Sequence, residues 1–264
     1  MNDTPVDLRA LHANYVEAIS SIARMTPGGE VSDAGGLTLV RSGLDIPAFN
    51  LVFALDDPSS VVAAERAVSR TFGGSGFRWL LVTTERVATQ LQPMIHAFGF
   101  HLEETMPGMV WAPLPRLLPT LPPRFTARPV RVPEEAAVFA RTMMEGFEAR
   151  AGLMDPWVDG VRAKHVTTSE MPGWYLGFLD DHPVCTAVRV TTGAIAGIYG
   201  VSTLPDFRRR GLGEAITRLA AADGYPEGAR MSYLQSSRAG RSVYERIGYR
   251  WVEDYQLWSP AGSV

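Results

Sequence analysis

The chain has 264 residues, 46% of them hydrophobic, with one cysteine and a formal net charge of −3. That length allows two domains and that hydrophobic share allows a packed core, which excludes a largely disordered chain. The small net charge excludes a general attraction to nucleic acid or anionic membrane, and the lone Cys185 excludes an intrachain disulfide and a cysteine-based zinc site.

The opening MNDTPVDLRA lacks a basic stretch followed by an apolar one, so no secretory signal is expected and the protein is read as soluble and cytoplasmic. LHANYVEAISSIAR puts Leu11, Tyr15, Ala18, Ile19 and Ile22 on one stripe and predicts a helix. FNLVFAL predicts a strand, PSSVVAAERAVSRTF a helix, FRWLLVT a strand, VATQLQPMIHAF a helix and FHLEETMPGMVW a strand. The stretch 111–129 holds six prolines, the composition of an extended connector. The expected division is a domain over 1–115, a linker over 116–123 and a second domain over 124–264.

FTARPV then predicts a strand and PEEAAVFARTMMEGFEAR a helix opened by Pro133 and two acids. WYLGFLDDHPVCTAVRVTTGAIAGIYGVSTLP predicts a three-stranded meander turning at DDHP and TTG. GLGEAITRLAAADG predicts a helix, SYLQS a strand, GRSVYERIG a short helix ended by Gly248, and YRWVEDYQLW a last strand. Residues 95–113 can be laid on 244–260, matching Gly99 with Gly248, Phe100 with Tyr249, Glu104 with Glu253, Trp111 with Trp258 and Pro113 with Pro260. With the same order of elements before each segment, the expectation is one α/β unit in two copies.

PDFRRRGLG, residues 205–213, lies between the strand GIYGVST and the helix that follows. A helix N-terminus offers unpaired amides and partial positive charge, glycines let a ligand approach the backbone, and arginines add donors. Neither GxxxxGK[ST] nor GxGxxG is present. The loop alone leaves a phosphate cradle and a solvated basic turn both open.

Arg208-Arg209-Arg210-Gly211-Leu212-Gly213 resembles the [Q/R]xxGx[G/A] signature of the GNAT N-acetyltransferase superfamily, and YERIGYR resembles that family's second signature. The likeness covers about 124–260 well and 37–113 weakly. It implies an α/β fold of the α+β type: tandem GNAT folds, each a mixed, twisted, mostly antiparallel sheet flanked by helices, with splayed central strands in the C-terminal unit. It implies that acetyl-CoA is the cosubstrate, that pantetheine pairs with Val201, Ser202 and Thr203, and that the pyrophosphate rests on amides from Arg209 to Glu214. Tyr244 falls at the general-acid position, and Ser237 stands where the family often has Asn. The general base is not assigned. Glu145, Glu148 and Asp155 sit in a region that lines the substrate side in relatives, and a water chain is an equal alternative.

The first half lacks the loop: its strand runs into LDDPSSVV, and Ile95 matches Tyr244. That half is expected to bind no CoA and to shape the acceptor pocket or a subunit interface. GGSGF at 73–77 reads as a flexible loop, the five histidines show no metal-ligand spacing, and Cys185 reads as a buried hydrophobe. Trp157, Trp174, Tyr175 and Phe178 read as core before pocket. The expected function is acetyl transfer from acetyl-CoA to a primary amine of an unidentified small-molecule or peptide acceptor. The alternative is a non-catalytic acyl-CoA-binding or regulatory module. Nucleic acid, membrane and metal are not expected as partners, and a homodimer is left open.

Overall fold

The computed structural model describes residues 6–56, 61–74, 76–114, 119–164 and 173–261. Asp7 opens α1 (Leu8–Met25) by accepting hydrogen bonds from the amides of Arg9 and Ala10, as a helix N-cap aspartate does. Leu11, Tyr15, Ile19 and Ala23 recur at four-residue spacing and are buried, so one face of α1 packs on the sheet. A hairpin absent from the sequence expectation follows, β1 (Glu30–Ala34) and β2 (Leu37–Arg41). Its edge strand EVSDA is polar and largely exposed, which hides it from hydrophobic patterning.

Next come β3 (Asn50–Ala54), α2 (Val61–Phe72) and β4 (Leu80–Thr84). The helix expected over 87–98 is two helices, α3 (Glu85–Gln90) and α4 (Gln92–Ala97), which break at Leu91. Pro93 has no amide to donate and its ring would strike the preceding turn, so it can only begin a new helix. The long strand β5 (His101–Trp111) ends the first half.

The second half runs β6 (Phe125–Pro129), α5 (Glu135–Gly146), α6 (Asp155–Ala163), β7 (Gly173–Leu179), β8 (His182–Thr192) and β9 (Ile195–Thr203). It closes with α7 (Leu212–Ala222), β10 (Met231–Gln235), α8 (Arg241–Ile247) and β11 (Arg250–Ser259). The turn expected at DDHP is made by Asp180 and Asp181, both at positive φ, the geometry of a tight hairpin. α6 was not expected. Its Gly160 is there for close packing, since a Cβ would lie 1.8 Å from the Met25 carbonyl oxygen at the end of α1.

The eleven strands among the described residues form one mostly antiparallel sheet in the order β1-β2-β3-β4-β11-β5-β10-β9-β8-β7-β6. The Pro-rich segment, whose residues 115–118 lie outside the described residues, does not divide this sheet. The last strand of each half sits in the other: β5 pairs with β10, β11 pairs with β4, and the two lie side by side at the centre. Read inward, β1-β2-β3-β4-β11 from one edge and β7-β8-β9-β10-β5 from the strand next to the other edge, β6, show the same sequence of antiparallel, antiparallel, parallel and antiparallel pairings. Helices α1, α5 and α6 cover one face, and α2 to α4 with α7 and α8 cover the other. No helix among the described residues is long and apolar enough to cross a membrane.

Buried polar groups fasten the halves together. Asn14 of α1 donates to the Val190 carbonyl at 2.9 Å and to Thr192 Oγ1 at 2.7 Å, and accepts from the Tyr199 hydroxyl at 2.6 Å. Tyr233 on β10 donates to the Tyr255 hydroxyl at 2.5 Å, Tyr255 donates to Glu253 at 2.8 Å, and His12 of α1 meets the same Glu253 oxygen at 2.7 Å. A Cβ on Gly197 would stand 1.8 Å from Asn14 Oδ1 and 2.6 Å from the Tyr199 ring. Gly197→Ala is therefore expected to lower stability by roughly 1–3 kcal/mol, the cost of overpacking a filled core. A urea midpoint unchanged from the parent would contradict that packing.

Trp157, Trp174 and Tyr175 are buried in the core and Phe178 packs against it. Cys185 is fully buried, and burial pushes its thiol up to about 12. At pH 8 only about one thiol in ten thousand would be ionised, and the thiolate is the reactive form. A chromogenic disulfide reagent should therefore label the folded chain negligibly and the denatured chain stoichiometrically. Rapid labelling of the folded chain would overturn that placement.

Candidate active site

β9 and β10 run parallel, but their pairing stops after Met231↔Ile195, Ser232↔Ala196 and Tyr233↔Gly197. Beyond that point the pairing ends, and among the described residues no strand pairs with β9 from Ile198 to Thr203 on its β10 side. Its other edge stays on β8, through Thr186↔Ser202 and Cys185↔Thr203. A bulge between Thr186 and Val188 re-aims the strand at Gly200, which sits at positive φ. The equivalent pair in the first half does not part: β3 and β4 stay in register from Leu51↔Leu80 to Ala54↔Thr83.

The open edge of β9 leads to the N-terminus of α7. Gly211 is the N-cap residue at φ 76, with no side-chain cap on the helix. A glycine suits that left-handed conformation. Ala215 donates back to the Gly211 carbonyl as the first helical bond, which leaves the amides of Leu212, Gly213 and Glu214 among the unpaired donors of the first turn. A Cβ on Gly213 would lie 3.6 Å from Thr203 Oγ1 and 4.0 Å from Val201, so the loop lies directly over the end of β9.

The three arginines part ways. Arg208 Nε donates to the Thr203 carbonyl at 3.2 Å and its Nη2 to the Gly146 carbonyl at 2.8 Å, while Glu148 lies 3.5 Å away. Arg210 donates to the Asp206 carbonyl at 3.0 Å and stacks on Phe207. Arg209 has positive φ and makes no hydrogen bond or ion pair among the described residues. Two arginines thus brace the turn and the third is free to face a ligand. Of the other sequence-chosen positions, Leu212 is buried in the core, Glu214 is ion-paired with Arg218 at 3.0 Å, and Ser202 is bonded to Thr186. These three can offer a ligand only their backbone.

Tyr244 on α8 reaches the gap from the far face and packs edge-on to Tyr249 at 5.8 Å. Its hydroxyl has no protein partner among the described residues, and burial pushes its pKa up to about 12. Ser237 accepts from the Gly240 amide at 3.2 Å, shaping the turn into α8. Tyr244, Ser237, Gln235 and Val201 line one cavity of about 750 Å3 that continues from the strand gap.

The opposite walls of that cavity come from both halves. α1 gives Tyr15 and Ile19, the segment before β3 gives Asp45 to Phe49, and α5 and the stretch after it give Met143, Met144, Phe147 and Leu153. The carboxylates singled out from the sequence are elsewhere. Glu145 and Glu148 line a separate depression with Leu204 to Phe207, and Asp155 sits at the start of α6. The acidic side chain on the cavity wall is Asp45, with Arg78 and Arg150 beside it. Patterning had no means of finding these three, because they lie on loops and meet only through the fold.

Ile95, the counterpart of Tyr244, is buried in the core of the first half. The stretch that would answer to the glycine loop includes Asp57 to Ser60, outside the described residues. Among the described residues no cluster of His, Cys, Asp and Glu is placed to hold a metal ion.

Residues 163–252 match the family model described as the acetyltransferase (GNAT) domain. A search of curated proteins gives no match. The fold is similar to solved structures over nearly the whole chain. One is a GCN5-related N-acetyltransferase from Kribbella flavida, with 20% identity, 96% of each chain covered and a TM-score of 0.69. Another is a GCN5-related N-acetyltransferase from Sphaerobacter thermophilus, with 17% identity, 97% of this chain and 93% of that one covered, and a TM-score of 0.58. A GCN5-related N-acetyltransferase-like protein from Streptococcus suis covers 94% of this chain and 99% of its own at 14% identity, with a TM-score of 0.56. At these identities the likeness to solved structures establishes the fold, and the chain is similar to the acetyltransferase (GNAT) domain over residues 163–252.

Proposed function

We propose that the protein transfers an acetyl group from acetyl-CoA to a primary amine, with its C-terminal half as the catalytic unit and its N-terminal half as a degenerate copy. One observation carries this reading. The unpaired edge of β9 runs without interruption from an uncapped helix N-terminus to a cavity lined by Tyr244. That order of features fits the order of parts in acetyl-CoA. The pyrophosphate suits the amides around Gly211 to Glu214, with Arg209 beside them. The amide-bearing pantetheine suits the open edge at Val201 to Thr203, as an added strand. The thioester then falls in the cavity.

In the reaction the amine nitrogen bonds to the thioester carbon, the carbon–sulfur bond breaks, and the thiolate takes a proton. Tyr244 supplies that proton, and the phenolate is refilled by the proton that the nitrogen sheds. Among the described residues β3 stays paired with β4 from Leu51 to Ala54 and shows no parting like that of β9 and β10, which supports a non-catalytic role for the first half. Titration of acetyl-CoA by calorimetry tests the reading. One site per chain is expected, and absence of binding would end it.

A further inference from the structure

The wall of the cavity says more about the acceptor than about the donor. Phe49, Leu51, Met143, Met144, Phe147 and Leu257 make most of its lining apolar. A polyhydroxylated or polycationic acceptor would lose its hydration there without finding partners. An amine on an apolar body loses little. Its ammonium form is also disfavoured by the same surroundings, so it sheds its proton on entry. That answers the absence of Glu145, Glu148 and Asp155 from the wall.

The charged lining residues are Asp45, Arg78 and Arg150. Asp45 Oδ1 lies 3.8 Å from Arg78 Nε and its Oδ2 lies 3.8 Å from an Arg150 guanidinium nitrogen. Both separations exceed hydrogen-bond range, so neither guanidinium has committed its donors to Asp45. Arg78 and Arg150 come from different halves of the chain, and both side chains are more than half exposed. Two cations against one anion leave this end of the cavity with one net positive charge. Asp45 and Arg78 also line a second depression with Phe72, Trp79 and Phe98, which places them at the end directed into the N-terminal half.

We infer that the acceptor is a primary amine on an apolar body that ends in a single carboxylate, held by Arg78 and Arg150. This rests on the acetyl-transfer reading above. The forked donors of two guanidiniums suit a carboxylate, and a second cation on the acceptor would be repelled.

The test uses the full chain, acetyl-CoA and a matched pair of amines, 4-(2-aminoethyl)benzoate and phenethylamine, with spermidine as the polycation. Thiol release reads turnover. The carboxylated amine is expected to have kcat/KM about tenfold or more above its partner, as one charge-assisted contact supplies. In the variant carrying both Arg78→Ala and Arg150→Ala that advantage should vanish through KM, with phenethylamine turnover unchanged. Equal turnover of the pair, preference for spermidine, or equal losses on both amines in the variant overturns the assignment. So does acetyl-CoA binding with no turnover of any of the three, which leaves the donor site standing. Failure of acetyl-CoA to bind removes the donor site and this assignment together.

Discussion

Gly211→Asp is expected to weaken acetyl-CoA binding at least a hundredfold while costing the fold only about 1 kcal/mol. The reasons pull in opposite directions on the two quantities. Gly211 is the N-cap of α7 at φ 76, and a Cβ added there meets no atom within 4 Å. Aspartate tolerates this left-handed conformation better than most residues, and it is among the best N-caps. Its carboxylate would accept from amides of the first turn, the same donors a pyrophosphate needs. It would also set a negative charge about 5 Å from the phosphate, costing roughly 3 kcal/mol at an effective dielectric near 20, which is about a hundredfold. Gly211→Asn caps the helix without the charge and should lose less. Calorimetric titration of the three proteins separates competition from repulsion. Equal affinity of parent and Asp variant would remove α7 from the donor site.

The strand end and glycine loop of the proposed donor site were legible in the sequence because they are local. Arg208 to Gly213 form a contiguous stretch whose chemistry depends on one strand end and one helix start. The same holds for the meander of β7, β8 and β9, whose turn residues announce themselves. The acceptor side was not legible because it is assembled from segments far apart in the chain: Tyr15, Asp45, Arg78, Phe147 and Leu257 share one cavity. The expectation of a repeat rested on a likeness of 95–113 to 244–260. That β5 and β11 lie in each other's half of the sheet was not visible, since strand partners depend on topology and both strands carry similar apolar patterns. The polar chain from His12 through Glu253 and Tyr255 to Tyr233 was hidden for the same reason.

Tyr244→Phe is expected to lower kcat about a hundredfold or more, within the usual contribution of a positioned acid, while acetyl-CoA binding stays unchanged. The phenol's raised pKa decides how it can act. Burial holds it up to about 12, whereas an unperturbed thiol sits near 8.5. Handing a proton from such a phenol to a free thiolate is uphill by about three and a half units, roughly 5 kcal/mol. The transfer becomes favourable only when the nitrogen, acidified by bonding to the carbonyl carbon, gives up its own proton as the sulfur leaves. The phenol then passes a proton across the cavity with no lasting charge on oxygen, which suits an apolar site whose lining carboxylate, Asp45, stands between two arginines. The pH profile follows with its sign. A phenol whose pKa is raised stays protonated throughout the ordinary assay range, so loss of the acid form cannot cause a fall in kcat below about pH 11. Any rise of kcat/KM with pH belongs to the acceptor amine and should persist in the Phe variant at a lower plateau. A parent whose kcat falls near pH 9, with that fall absent from the Phe variant, would show a phenol titrating far below its expected value and would overturn this account of the proton's path.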